Sequence, residues 1–217
     1  MSDVEKAVSL ILERIKSGEF SGGQRLIEAD LISDFGINRG PVREALRILA
    51  GDGVVELVPN KGARVRRLEE RDLIEIYEVL IGLHWVSVRI CADRAREKDV
   101  RATIEKAYET LHLGWLSRDE STWFIALGQF HTEIFHATGN ELLVREYNRL
   151  RHVHFHRELT RYIRVRDWDR YIGVYTTLTD AMLNQKTKKA EQTMIDHLDN
   201  LLKLLRSDKQ PAIYFRP

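Results

Sequence analysis

The stretch Arg39-Gly40-Pro41-Val42-Arg43-Glu44-Ala45-Leu46-Arg47-Ile48-Leu49 decides how the N-terminal part of this 217-residue chain is read. Val42, Ala45, Leu46 and Leu49 fall at i, i+3, i+4 and i+7, the apolar stripe of an amphipathic helix. Arg43 and Arg47 lie one turn apart on the opposite face, and Arg39 stands just before the helix near the same edge. Pro41 suits the first helical position, which makes Gly40 the expected N-cap. Three guanidiniums therefore gather at a helix N-terminus, where backbone N–H groups already favour phosphate.

Working outward, Val4, Val8, Ile11 and Ile15 predict a first helix over residues 3–17, broken by Gly18, Gly22 and Gly23. Glu28–Phe35 reads as a second helix with Leu31, Ile32 and Phe35 inward, and Gly36 makes the turn into the third. Gly51 and Gly53 end the third helix. Val54–Val58 and Ala63–Val65 alternate in the manner of strands, with Pro59-Asn60-Lys61-Gly62 as a hairpin tip. Three short helices followed by a hairpin make a winged helix-turn-helix, whose third helix enters the major groove. Between Arg39 and Arg67 seven basic side chains face three acidic ones, in a chain whose net charge is only +1. A local basic face on a near-neutral protein suits a polyanion bound from one side, although a solvated charged face gives the same count.

After Leu68 strand signals fade, and the only further prolines are Pro211 and Pro217. Helical patterns follow at about 70–97, 99–117, 120–138, 140–164, 168–186 and 187–206, with Gly139-Asn140 as a break in which Asn caps the next helix. The expected fold is mainly α. Residues 1–68 form a winged helix-turn-helix DNA-binding domain, and 69–217 form an all-helical bundle for effector binding and dimerisation. No run of about 18 uncharged apolar residues suggests a membrane span, the N-terminus lacks a signal-peptide core, and Cys91 is the lone cysteine. A cytoplasmic location is the expectation.

The run from Leu26-Ile27-Glu28 through Asp34-Phe35-Gly36-Ile37-Asn38-Arg39-Gly40-Pro41-Val42-Arg43-Glu44-Ala45-Leu46-Arg47-Ile48-Leu49 resembles the GntR family of transcription regulators. So does Asp52-Gly53-Val54-Val55 followed by Pro59-Asn60-Lys61-Gly62-Ala63-Arg64-Val65. The resemblance implies DNA contacts by Arg39 and Arg43, with Gly62 letting the wing come close to the DNA backbone. Asn38, Gly40, Pro41, Arg47 and Lys61 complete the candidate DNA-binding set. Family members usually carry Ser or Thr where Asn38 stands and Thr where Gly40 stands. A hydroxyl contact is therefore lost here, and the operator is expected to differ.

Residues 70–206 resemble the FCD ligand-binding domain of the FadR-like branch, carried by Gln129-Phe130-His131, Ala137-Thr138-Gly139-Asn140-Glu141-Leu142-Leu143, Ala190, Met194 and His197-Leu198. That resemblance implies a dimeric helical bundle holding a small effector and, in many members, a divalent metal. The implied metal set is an Asp or Asn and a His at i, i+4, then two His 22 residues apart; the corresponding positions are Leu127, His131, Tyr175 and His197. Two of the four offer no suitable donor, so no metal cofactor is expected, with His131 and His197 as the remaining weak candidates. The family commonly has Arg and Glu where Leu80 and His84 appear, which argues against a simple carboxylate effector.

His84 lies among Leu73, Tyr77, Leu80, Val88 and Cys91. In the 140–164 helix His154 lies on the face of Leu143, Tyr147 and Leu150, whereas His152 and His156 point away. Each inward histidine reads as a hydrogen-bonded core or interface residue. Together, His84, His131, His154, Tyr175 and His197 make a candidate effector cavity whose binding would vary between about pH 5.5 and 7.5.

The functional expectation is a repressor-type regulator, a homodimer on palindromic double-stranded DNA under effector control and away from membranes. A constitutive DNA-binding dimer is one alternative. A histidine-dependent enzyme is another, with no Ser/His/Asp order, H-E-x-x-H or Gly-rich phosphate loop to support it. The tail Ser207–Pro217, with Tyr214 and Phe215, is unassigned.

Overall fold

The computed structural model describes residues 1–59, 62–150, 164–165, 168–206 and 212–213. Asn60, Lys61, His152, His154, His156, Tyr214 and Phe215 therefore lie outside the described residues. Two compact units are present, Met1–Glu69 and a second that begins at Glu70.

In the first unit α1 (Asp3–Ser17) starts from a reciprocal cap: the Glu5 N–H donates to Ser2 Oγ at 3.2 Å and the Ser2 N–H donates to Glu5 Oε2 at 2.7 Å. Gly18, in the left-handed region, ends the helix. The two-residue strand β1 (Arg25–Leu26) leads into α2 (Glu28–Phe35), and α3 spans Arg39–Gly51. Strands β2 (Val55–Val58) and β3 (Gly62–Val65) form the hairpin. The sheet order is β1-β3-β2, antiparallel throughout, with Leu26 opposite Ala63 and Val58 opposite Gly62. Ile11, Ile15, Leu31, Val42, Ala45, Leu46, Leu49, Val55, Ala63 and Val65 form one core, so the stripe of α3 faces inward as its spacing requires. Arg14 of α1 clamps α2 by donating to Asp34 at 2.6 Å while its guanidinium covers the Phe35 ring.

Two expectations need correction. The N-cap of α3 is Asn38, in extended conformation, and not Gly40; Arg39 is the first helical residue. Pro41 sits two positions further in because no N–H of the first turn has an intrahelical acceptor, so proline loses nothing at any of them. Strand β1 was not expected, since two residues are too few to show alternation.

In the second unit α4 (Glu70–Arg94) runs along α9 (Thr187–Leu205), and α5 (Lys98–Leu116) runs along α6 (Glu120–Ala137). Helices α7 (Glu141–Leu150) and α8 (Trp168–Leu183) complete the bundle. Gly114 of α5 lets α6 approach closely, for a Cβ there would stand 2.5 Å from that of Ala126. Gly139 adopts a left-handed φ of 64°, and Asn140 Oδ1 then accepts the Leu143 N–H at 3.0 Å, so the expected Asn cap is present. The bundle carries one addition to the all-helical expectation: β4 (Arg164–Val165) pairs in parallel with β5 (Ala212–Ile213). Among the described residues no helix is long and apolar enough to cross a membrane.

Gly62 combines a φ of +82° with a site where a Cβ would lie 2.6 Å from the Leu26 carbonyl oxygen. Gly62→Ala is expected to destabilise the chain by about 2 kcal/mol or more, from left-handed strain plus the displacement of β1. Chemical denaturation measures this; an unchanged midpoint would show that β1 can leave the hairpin at no cost.

Candidate nucleic-acid interface and buried histidine cluster

The stripe that buries Val42, Leu46 and Leu49 turns Arg39, Arg43 and Arg47 outward. No acidic side chain lies in the first turn of α3, so nothing there opposes the positive end of its dipole. Arg25, Glu28, Arg39, Arg43, Arg47 and Gly62 all line one cleft of about 600 Å³ between this helix end and the hairpin.

Glu28 was not singled out from the sequence, because the charge count began at Arg39. Its two oxygens serve two arginines: Oε1 lies 3.3 Å from Arg43 Nε and Oε2 lies 3.5 Å from Arg39 Nε. Both pairings use the inner nitrogen of the guanidinium. The terminal nitrogens of a guanidinium are the fork that reads guanine or phosphate. Such half-exposed pairs add little stability, so orientation is their main effect. Arg47 is held separately by Glu44 at 3.3 Å. Gly40 is exposed, and a Cβ there meets nothing within 4 Å. Gly62 serves its own fold by admitting the Leu26 carbonyl.

In the second unit four of the five candidate effector residues come together; the fifth, His154, is outside the described residues. His84, His131, Tyr175 and His197 are each at least 94% buried. A hydrogen-bond chain runs through them. His84 Nδ1 lies 2.8 Å from the Leu80 carbonyl oxygen, His84 Nε2 3.1 Å from His131 Nδ1, His131 Nε2 3.1 Å from the Tyr175 hydroxyl, and that hydroxyl 3.3 Å from His197 Nε2. The carbonyl can only accept, so His84 Nδ1 donates. A neutral imidazole has one N–H, so His131 Nδ1 donates to His84 and His131 Nε2 faces the Tyr175 hydroxyl as an acceptor; that hydroxyl is also hydrogen-bonded to the Tyr171 phenol. At the end of the chain His197 Nδ1 is buried with no hydrogen-bond partner among the described residues.

Aromatic rings wall the cluster. His84 meets Phe135 and Tyr147 edge-on, Phe135 and Tyr147 stack at 3.8 Å, and Tyr171 lies edge-on to His197. Burial pushes the Tyr175 phenol well above its usual range, with the neighbouring phenols adding to it. Burial, helped by His84, lowers the His197 pKa to about 4. His197 thus stays neutral across the pH 5.5–7.5 window in which histidine titration was expected. Burial also pushes the Cys91 thiol up to about 12, where it is unreactive, and its Sγ donates to the Ile134 carbonyl.

The residues do not fit the divalent metal of the FCD signature. Leu127 is a buried apolar side chain, Tyr175 is a neutral phenol, and both nitrogens of His131 are already engaged. No group of three metal-ligating side chains occurs among the described residues.

A winged helix-turn-helix with a basic cleft, followed by a helical bundle around a buried polar cluster, defines a two-domain architecture. Residues 4–65 match the bacterial regulatory proteins of the gntR family, and residues 75–200 match the FCD domain. The chain belongs to the GntR family of regulators that carry an FCD domain. It is 33% identical over 140 residues to the HTH-type transcriptional regulator YdhC of Bacillus subtilis, and 30% identical over 142 residues to a probable D-xylose utilization operon transcriptional repressor of Paenarthrobacter nicotinovorans. Each match covers 64% of this chain and 61% of the relative. McbR/YncC of E. coli shares the fold with a TM-score of 0.78 at 20% identity, covering 94% of this chain and 97% of that one.

Two outcomes test the site. Glu28→Gln should strengthen binding to unrelated DNA and narrow the operator preference about fivefold, since two guanidiniums lose their shared anchor; titrations on both DNAs at two salt concentrations read this, and an unaltered ratio would leave Glu28 with no role in reading.

Folding stability should also depend on His197. The unfolded chain takes up its proton near pH 6.5 and the folded core only near pH 4. The unfolded state therefore binds more protons between those values. The contribution of His197 is complete above about pH 6.5 and is lost as pH falls towards 4, by up to about 3 kcal/mol. Denaturation midpoints of the wild type should fall more steeply from pH 7 to 5 than those of His197→Gln; parallel curves would refute the assignment.

Proposed function

We propose that this chain is a transcription regulator, a repressor, that binds a palindromic double-stranded DNA operator as a homodimer and responds to a small effector in its helical domain. The observation that carries the reading is the pair Arg39 and Arg43, fixed by Glu28 at the open end of α3 beside the wing. Arg43 would contact base edges, and Arg39, Arg47 and the helix end would hold phosphates. A dimer would place two such helices on half-sites one helical turn apart. Asn38 and Gly40 would leave the phosphate or base contact of a hydroxyl unmade, so this operator would differ from those of relatives with Thr at the second position.

Effector control needs only a ligand with different affinity for two arrangements of the dimer. The buried cluster supports a neutral ligand. Leu80 stands where a cation would hold a carboxylate, and His197 Nδ1 is a buried polar atom without a hydrogen-bond partner among the described residues. A hydroxyl-rich ligand meets that chemistry better than an organic acid.

Gel shifts on the DNA upstream of the chain's own gene test the first part. Binding should weaken steeply with salt, and Arg43→Ala should weaken it about ten- to a hundredfold. His131→Ala should leave effector-free binding unchanged, and Gly40→Thr should alter operator affinity without loss of thermal stability, given the open space around Gly40. Absence of binding at low salt would sink the reading. Thermal shifts with neutral sugars and polyols against sugar acids test the second part; a response to acids alone would overturn the ligand class, and no response to either would favour a constitutive DNA-binding dimer.

A further inference from the structure

Two imidazoles on different helices aim the same nitrogen at one oxygen. His131 Nε2 from α6 and His197 Nε2 from α9 lie 3.1 and 3.3 Å from the Tyr175 hydroxyl of α8. Tyr175 occupies a position of the FCD metal set, and the other vacated position, Leu127, is buried and apolar. We propose that the Tyr175 hydroxyl replaces the family's metal ion, joining α6, α8 and α9 by hydrogen bonds, so that this helical domain is built to work without a metal.

The chemistry of the donor set separates the two arrangements. A metal needs a lone pair from each imidazole, at about 2.0–2.1 Å. Here the order imposed by the Leu80 carbonyl engages both nitrogens of His131, and His197 Nε2 faces the same hydroxyl. A hydroxyl both donates and accepts, so it can serve the two imidazoles and the Tyr171 phenol together, which no cation can do. Each ring would also have to move about 1 Å inward to ligate an ion placed at the oxygen. A dication at this depth would need charge compensation, and the metal set here supplies no carboxylate. Tyr171 stacks on the Tyr175 ring at 5.8 Å and Trp123 and Phe130 meet it edge-on, which keeps the phenol in place.

The test uses the full chain and needs neither operator nor effector, so it stands apart from the regulator reading. Protein is stripped with chelator, exposed to zinc, nickel or manganese alone, and read by elemental analysis and thermal shift. Wild type should retain less than about a tenth of an ion per chain, with no metal-dependent shift in Tm. Tyr175→His should bind close to one ion per chain and gain several degrees in Tm on adding it, and adding Leu127→Asp should tighten that binding at least tenfold. Tyr175→Phe, which keeps the ring and removes the hydroxyl, should melt below wild type and take up no ion. These three variants keep the outcome decisive even where one fails to fold. Wild type that holds one ion per chain, lost in His131→Ala, would overturn the proposal, as would Tyr175→Phe with the melting temperature of wild type.

Discussion

A backbone carbonyl accepts hydrogen bonds and cannot donate one. At Leu80 that elementary constraint fixes the His84 tautomer and the role of His131 Nδ1, and the hydrogen-bonded chain continues through Tyr175 to His197. Helices α4, α6, α8 and α9 each supply one member, so the polar chain ties together the elements that the apolar core packs. A buried polar network stabilises a unique arrangement only when its members are satisfied. This one is satisfied at every link except its end, and the unsatisfied atom, His197 Nδ1, is where added hydrogen-bonding partners have the most to gain.

The first unit has a comparable economy. Glu28 opens α2 and reaches two arginines of α3, so the two helices of the helix-turn-helix share one electrostatic joint. An acidic residue inside a basic cleft weakens the overall field. It also removes the freedom of two long side chains before any ligand arrives, which is the part of recognition that charge alone does not provide.

The winged helix was legible because its signals are local: the stripe of Val42, Ala45, Leu46 and Leu49, the glycines at 36 and 51, and the alternation of the hairpin. Helix limits in the second domain followed from periodicity for the same reason, except that the helix expected over 140–164 is described only as Glu141–Leu150 and Arg164 lies in β4. The start of α3 was misread because Pro41 marks the first turn and not a single position in it. Strand β1 was invisible because two residues carry no period, and its existence depends on β3, far away in sequence. In the candidate sites, the inward histidines could be named one by one from helical faces. Their order as a chain, the carbonyl that directs it and the lowered His197 could not, since those depend on which face meets which across distant helices. Glu28 was quoted as part of the family run without its partners, because an ion pair between helices leaves no spacing in the sequence.

Gly40 and Gly62 differ in what inheritance can do with them. Glycine codons change in one step only to residues that carry a Cβ or to a stop. At Gly62 every such side chain meets the Leu26 carbonyl, so the wing offers selection no neighbouring variant of equal fitness. At Gly40 the same codon changes open onto empty space at the start of α3. Side chains can therefore be accommodated at one glycine by single substitutions, while the other holds the scaffold constant as they change.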